Sequence, residues 1–101
     1  MRFVGICQYD GSNYSGFQSQ KNVPSIQDNL ELAITSVGTL EGRINYAGRT
    51  DAGVHATGQI FDFSAKHHRD TDQWLKGLNS KLPNDISVSS IQQAPDEFHS
   101  R

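Results

Sequence analysis

Hydrophobic and polar positions alternate along this chain with two different periods, and the changes of period mark its predicted elements. A period of two over residues 2–9 predicts a first strand. One of its faces carries Val4 and Ile6, and the other carries Phe3, Cys7 and Tyr9. Residues 10–23 are rich in glycine, asparagine and serine, which predicts a loop. This loop is long for a compact domain, and long loops are commonly functional.

A stripe of apolar residues with helical spacing follows this loop. It consists of Ile26, Leu30, Ala33, Ile34 and Val37. Ser25 stands where an N-cap residue is expected, and Asp28 lies three positions later, where an acidic side chain favours a helix N-terminus. Gly38 is expected at the C′ position, just past the helix end. These signals together predict a helix that begins after Ser25.

The second half of the chain repeats the change between strand and helix. Residues 43–49 and 58–64 are predicted strands. Asp70 and Gln73 form a predicted capping box for a second helix, which Pro83 and Asn84 end. The apolar stripe of that helix is Trp74, Leu75, Leu78 and Leu82. Residues 86–91 are a last strand, in which Ile86, Val88 and Ile91 do not share one parity, so a bulge or an early end is expected there.

The element order β-α-β-β-α-β is typical of the ferredoxin-like α+β fold. That fold has an antiparallel four-stranded sheet with two helices on one face, and residues 1–101 are expected to form it as a single domain. Because unrelated functions share this fold, the function has to be argued from a site.

Composition narrows the class of protein. Nine basic and eleven acidic residues give a formal net charge of −2, which argues against avid nucleic-acid binding by this chain alone. The single cysteine, Cys7, excludes an internal disulfide and is expected to be buried. No apolar run reaches the roughly 20 residues that span a bilayer. The N-terminus has no secretory leader pattern, so we expect a cytoplasmic protein without a membrane partner.

Residues 48–56, here called the signature segment, carry the chemistry that stands out most. Asp51 lies between Gly48 and Gly53 in this segment, which joins two predicted strands. A carboxylate held in this way can act as nucleophile, base or metal ligand, or it can bond its own backbone in an ordinary turn. The connection is longer than a plain hairpin needs. His55 alone does not complete a zinc site, so no metal is expected.

Aromatic and amide side chains in the long loop form a second candidate site. Tyr14 and Phe17 could stack on RNA bases, and Gln18 lies beside them.

Four motifs in the same order resemble the tRNA pseudouridine synthase A family. They are residues 9–18, residues 24–27, the signature segment, and residues 77–86 together with 98–101. The resemblance covers essentially the whole chain, and the signature segment is its most specific part. It implies a tRNA uridine isomerase that acts on the anticodon stem-loop without metal or organic cofactor.

The resemblance also implies a role for each candidate residue. Asp51 would be the catalytic aspartate, which attacks the flipped-out nucleoside at C1′ of the ribose or at C6 of the uracil. Arg49 would hold the nucleotide or its phosphates. Thr50, Gly53 and His55 would shape the substrate-binding loop, and Tyr14, Phe17 and Gln18 would contact RNA.

Family chains continue with a second, similar half. The resemblance therefore implies that this chain is the N-terminal half of a longer enzyme, inactive by itself and homodimeric when complete. Two other functions remain open on the same fold. A non-catalytic RNA-recognition module would need Phe3 and Phe61 on the open face of the sheet. An acylphosphatase-like hydrolase would need an arginine in the loop after the first strand, where Asp10, Gly11 and Ser12 stand.

Overall fold

The first strand lies inside a four-stranded antiparallel sheet, between the third and fourth strands. The computed structural model describes residues 2–14, 17, 19, 25–46, 56–66 and 70–95. Its elements are β1 (Arg2–Tyr9), a 3₁₀ turn (Gly11–Asn13), α1 (Ile26–Gly38), β2 (Leu40–Tyr46), β3 (Ala56–Ala65), α2 (Thr71–Lys81) and β4 (Ile86–Ala94). The strand order is β2-β3-β1-β4. The predicted ferredoxin-like α+β fold is confirmed.

The core lies between the sheet and the two helices. Phe3 of β1 stacks on Phe63 of β3, and Trp74 of α2 packs edge-on against Phe63. The predicted faces of β1 are confirmed, because Phe3, Cys7 and Tyr9 are buried whereas Ile6 is 37% exposed. Alternation with a period of two therefore sorted the two faces of this strand correctly.

The starts of both helices agree with their predicted caps. Ser25 Oγ accepts a hydrogen bond from the Asp28 N–H at 3.0 Å, and Asp70 and Gln73 form the capping box of α2.

The prediction that Gly38 occupies C′ is wrong. Gly38 is the last helical residue, and Thr39 follows it with a φ of 41°. The turn comes one residue late because the Thr39 carbonyl accepts from the Lys66 N–H at 3.1 Å, which ties it to the end of β3.

The broken parity of the last strand is explained by a bulge. Ile6 of β1 pairs with Ser90, but the next residue, Cys7, pairs with Val88, so Ser89 is the extra residue on β4. The Ser89 hydroxyl donates to the Ile6 carbonyl at 3.1 Å. The bulge lets Ile91 face the core like Val88, and β4 continues to Ala94 instead of ending early.

A second irregularity interrupts β2. Glu41 pairs with Ser64 and Asn45 pairs with Asp62, so four residue steps on β2 oppose two steps on β3. Gly42, with a φ of 72°, lies in this stretch, where the positive φ suits a residue without a Cβ. The ladder is therefore disturbed just before the end of β2. The predicted strand continued through residues 47–49, which lie outside the described residues.

The two helices approach each other closely at one glycine. A Cβ added to Gly77 of α2 would lie 2.8 Å from Cγ2 of Val37 on α1. Glycine at this position therefore permits the close contact between the helices.

Candidate functional site

One end of the sheet holds the last residue of β1 and the first residues of β3 and β4. Tyr9, the last residue of β1, pairs with Ala56, the first residue of β3, and with Ile86, the first residue of β4. The end of β1, the start of β3 at Ala56 and the start of β4 therefore lie together at this end of the sheet. We call it the loop end. Three of the four sequence motifs reach it.

Most of the predicted site residues lie outside the described residues. These are Arg49, Thr50, Asp51, Gly53 and His55 of the signature segment, and Gln18 of the loop after β1. Their roles therefore stay predictions.

The connection after β1 is tied to the turn before β4. The Asp10 N–H donates to the Asp85 carbonyl at 2.9 Å. Asp10 also caps the 3₁₀ turn, since its Oδ1 accepts from the Ser12 N–H at 3.0 Å and from the Ser12 hydroxyl at 2.7 Å. The Asp10-Gly11-Ser12 sequence thus forms the capped start of a short 3₁₀ turn.

Tyr14 adds a side-chain bond between the same two segments. Its ring is buried, and its hydroxyl donates to Asp85 Oδ1 at 2.6 Å. Burial raises the pKa of the Tyr14 phenol well above its usual range, and the hydrogen bond to the Asp85 carboxylate raises it further. The hydroxyl therefore stays protonated and keeps its role as donor.

Phe17 is completely buried, although sequence reasoning placed it in an RNA-contacting loop. Its ring centroid lies 4.5 Å from that of Tyr46, the last residue of β2, and 5.9 Å from that of Tyr9. In this arrangement the rings of Phe17 and Tyr14 pack against protein, and RNA contact by either remains a prediction. What Phe17 does here is join the loop after β1 to the strand that leads into the signature segment.

Gln27 and Glu31 of α1 extend this junction through hydrogen bonds. The Ser19 N–H donates to Gln27 Oε1 at 2.8 Å, and Gln27 Nε2 donates to Glu31 Oε2 at 3.1 Å. Glu31 Oε2 also accepts the Ile44 N–H at 3.1 Å. Sequence reasoning assigned neither side chain a role. Their spacing of four residues on a predicted helix was the available signal.

A buried polar cluster lies across three strands. Asp62 of β3 is completely buried, forms an ion pair with Arg2 of β1 and accepts from Asn45 Nδ2 of β2 at 3.0 Å. Arg2 also donates to the Ser64 hydroxyl at 2.8 Å. Sequence reasoning missed this cluster too, although an acid between Phe61 and Phe63 in a buried strand is an evident signal.

The open face of the sheet has no aromatic platform among the described residues. Phe3 and Phe61 are completely buried on the helix side, so the expectation that they could serve an RNA-recognition module is wrong. Their parity in the strands explains this, since it sets them beside Trp74 and the rest of the core. Val4, Ile6 and Ile60 instead line a shallow depression on the open face.

The described part of the chain contains neither a metal-binding cluster nor an activated cysteine. No three His, Cys, Asp or Glu residues among the described ones are grouped so as to hold a metal ion. Burial raises the pKa of the Cys7 thiol to about 12, which disfavours the reactive thiolate. Within the same residues, no helix has the length and apolar character needed to cross a bilayer.

Comparison with known proteins identifies the family. The family model described as tRNA pseudouridine synthase matches residues 6–101. Over 101 residues the chain is 46% identical to the tRNA pseudouridine synthase A of Polaromonas naphthalenivorans and to that of Aeromonas hydrophila subsp. hydrophila, and it covers 38% of each. It is 49% identical over 98 residues to that of Pasteurella multocida, covering 97% of this chain and 37% of that protein. The chain thus spans less than two fifths of the length of these curated relatives. The chain belongs to the tRNA pseudouridine synthase family.

Proposed function

We propose that this chain is the N-terminal domain of a longer tRNA pseudouridine synthase and contributes the catalytic aspartate, Asp51. The observation that carries the proposal is the match of residues 6–101 to the family, together with the meeting of β1, β3 and β4 at the loop end. The signature segment leads directly into β3 at this end. A carboxylate on such a connection can reach a nucleoside that is bound beside the sheet edge.

Asp51 acts in this proposal as a nucleophile on an extruded uridine of the tRNA anticodon stem-loop. The glycosidic bond from N1 to C1′ breaks, the uracil turns, and a bond forms between C5 and C1′. The hydrogen on C5 is lost as a proton, and N1 gains one. The Asp51 carboxylate bonds to C1′ of the ribose or to C6 of the uracil, and this bond breaks again before the product leaves. Such a covalent intermediate divides a difficult displacement into easier steps. The base has to leave its stack first, because no carboxylate reaches it inside a helix.

The remaining candidate residues hold the substrate. Arg49 holds the nucleotide or a phosphate through its planar guanidinium. Thr50, Gly53 and His55 shape the loop around the base. Tyr14, Phe17 and Gln18 belong to the loop after β1 and contact the RNA, although Tyr14 and Phe17 would have to do so from buried positions or after a rearrangement. The reaction uses no metal and no organic cofactor.

The rest of the longer protein completes the site in this proposal. Nine basic and eleven acidic residues give this chain a net charge of −2, whereas tRNA binding needs a positive surface. The relatives are more than twice as long as this chain, which leaves room for a second half. That half supplies the positive surface and the groups that preorganise the carboxylate. The complete protein is expected to be a homodimer.

The test is release of tritium from C5-labelled uridine in tRNA by the full-length protein. Wild-type protein should release tritium, and Asp51→Asn should release none while binding tRNA and melting like wild type. Asp72→Asn, which makes the same exchange in an exposed position of α2, is the matched control and should keep full activity. Activity of Asp51→Asn close to that of wild type would remove Asp51 from the mechanism.

The isolated 101-residue chain provides a second test. It should release no tritium above background, because half of the cleft is missing. Sustained turnover by the isolated chain would show that the active site is complete without a second half.

A further inference from the structure

Gln27, near the start of α1, contacts the backbone of the loop after β1 at two residues. The Gln27 N–H donates to the Phe17 carbonyl at 2.9 Å, and its Oε1 accepts from the Ser19 N–H at 2.8 Å. Gln27 is 5% exposed, so both bonds are largely shielded from water. One buried residue at the start of α1 therefore holds the backbone of the loop at two points.

Glu31 carries this attachment across to β2. Its Oε2 accepts from Gln27 Nε2 and from the Ile44 N–H, each at 3.1 Å. Ile44 lies in the stretch where the register between β2 and β3 shifts, so its amide uses a side-chain acceptor from α1. A single carboxylate oxygen thus joins the loop after β1 to β2.

An aromatic contact between Phe17 and Tyr46 forms a second connection between the loop after β1 and β2. Tyr46, two residues after Ile44, packs its ring on Phe17 with centroids 4.5 Å apart. The loop and the end of β2 are therefore connected by two routes, one polar through Gln27 and Glu31 and one aromatic through Phe17 and Tyr46. A displacement of one segment has to be accommodated by the other, because both routes pass through buried or half-buried groups.

We propose that Glu31, acting through Gln27 and the Ile44 amide, is a positioning residue that holds the end of β2 and the loop after β1 in a fixed relation to each other. The chain continues from Tyr46 into the residues that lead to Asp51. This inference rests on the proposed function, since it assigns Glu31 to the same reaction. Glu31 touches neither substrate nor reacting atoms in this role; it acts by fixing the strand from which the signature segment departs.

Steady-state kinetics of the full-length protein test the proposal. Glu31→Ala should lower kcat about 10-fold or more, because small errors in the placement of a reacting group are costly. The KM for tRNA should change much less than kcat. Rates are measured well below the lowest melting temperature of the set, so that a loss of stability alone leaves kcat unchanged.

Three further variants separate the acceptor oxygen from the charge and test the coupling to Gln27. Glu31→Gln keeps an oxygen that can accept from the Ile44 amide, so it should restore most of the kcat that Glu31→Ala loses. Arg43→Ala removes the exposed partner of Glu31, whose Nη2 donates to Oε1 at 3.0 Å and whose Nε donates to Oε2 at 3.3 Å. Because exposed ion pairs contribute little, this variant should leave kcat within about 2-fold of wild type. Gln27→Ala combined with Glu31→Ala should lower kcat little further than the worse single variant.

Hydrogen–deuterium exchange in the same full-length proteins supplies a readout that does not depend on activity. Glu31→Ala should speed exchange at the Ile44 amide, and also at the Ser19 amide, which Glu31 does not contact directly. Unchanged exchange at Ser19, or a wild-type kcat in Glu31→Ala while Asp51→Asn is inactive, would overturn the positioning role. If wild-type protein forms no pseudouridine, the proposed function fails, and the exchange at Ser19 by itself supports or overturns the coupling.

Discussion

The hydroxyl of Tyr14 donates a hydrogen bond of 2.6 Å to Oδ1 of Asp85, a residue 71 positions further along the chain. The main-chain bond from the Asp10 N–H to the Asp85 carbonyl lies between the same two segments. The connection after β1 and the turn before β4 are therefore fastened together by one backbone bond and one side-chain bond. Both bonds lie at the loop end, where the signature segment also joins the sheet.

Tyr14→Phe should lower the free energy of unfolding at pH 7 by about 1.5–3 kcal/mol, the usual range for a hydrogen bond to a charged group. The ring remains and keeps its packing, so the loss reports the hydroxyl. Urea denaturation of the 101-residue chain measures it. Tyr46→Phe is the matched control, since it keeps the ring contact with Phe17, and it should change stability by less than about 0.5 kcal/mol. Equal losses in both variants would contradict a specific role for the bond to Asp85.

The raised pKa of Tyr14 predicts that the stability of the folded chain depends on pH in the alkaline range. The folded chain raises the pKa of Tyr14, chiefly through burial, whereas the unfolded phenol ionises near pH 10. Below about pH 10 the phenol is protonated in both states, so the contribution of Tyr14 to stability is fully present there. Above that pH the unfolded state loses the proton first, and the contribution falls. The stability difference between wild type and Tyr14→Phe should therefore shrink as pH rises from 9 to 11, and a constant difference would contradict the raised pKa.

Thr39→Gly should stabilise the chain by about 0.5–1 kcal/mol. Thr39 follows α1 with a φ of 41°, a conformation that costs a β-branched residue roughly 1 kcal/mol or more and glycine very little. Thermal unfolding measures the gain. Thr35→Gly makes the same exchange at an exposed position inside α1 and should destabilise instead, because glycine is a poor helix former. A loss of stability in Thr39→Gly would mean that the positive φ carries no strain.

Gly77→Ala should destabilise the chain even though alanine is the better helix former. The added methyl group would lie 2.8 Å from Cγ2 of Val37, and relieving that overlap is expected to cost about 1–3 kcal/mol, more than the gain in helix propensity of about 1 kcal/mol. Val37→Ala in the same chain should recover much of the loss. A double-mutant cycle of the two positions measures this coupling, and additive effects would show that the helices separate without cost.

Asp62→Ala should lower the free energy of unfolding by about 3–5 kcal/mol, because it leaves the Arg2 guanidinium largely buried without its carboxylate partner. The matched control is Glu41→Ala, which removes an exposed acid from β2 and should have little effect. Replacing Arg2 by methionine together with Asp62→Ala should cost less than Asp62→Ala alone. An equal or larger cost in the double variant would argue that the ion pair itself stabilises the sheet.

Local patterns were sufficient to predict the elements of this fold. The caps at Ser25 and Asp70 and the faces of β1 depend on residues within a few positions of one another, and each agrees with the structure. The broken parity near Ile91 correctly indicated a bulge. The prediction that Gly38 occupies C′ was wrong because the turn after α1 depends on the hydrogen bond from the Lys66 N–H to the Thr39 carbonyl, which no local sequence pattern reveals.

The candidate site could be predicted only in part, for the same reason. Four short motifs were sufficient to predict the family, and the role of Asp51 stays a prediction, but the groups that lie at the loop end come from distant parts of the chain. Tyr14 meets Asp85, and Phe17 meets Tyr46, only after the sheet has formed. Aromatic composition suggested exposed rings in the loop after β1, whereas hydrophobic burial draws Phe17 into the core.

The extra residue at Ser89 has a consequence for how β4 tolerates changes in length. Ile86 and Val88 precede it and Ile91 follows it, and only the inserted residue lets both groups point inward. Deleting Ser89, or inserting one residue beside it, would turn one half of the strand inside out. An insertion or deletion in this strand should therefore be tolerated only together with a second one nearby that restores which residues face the core.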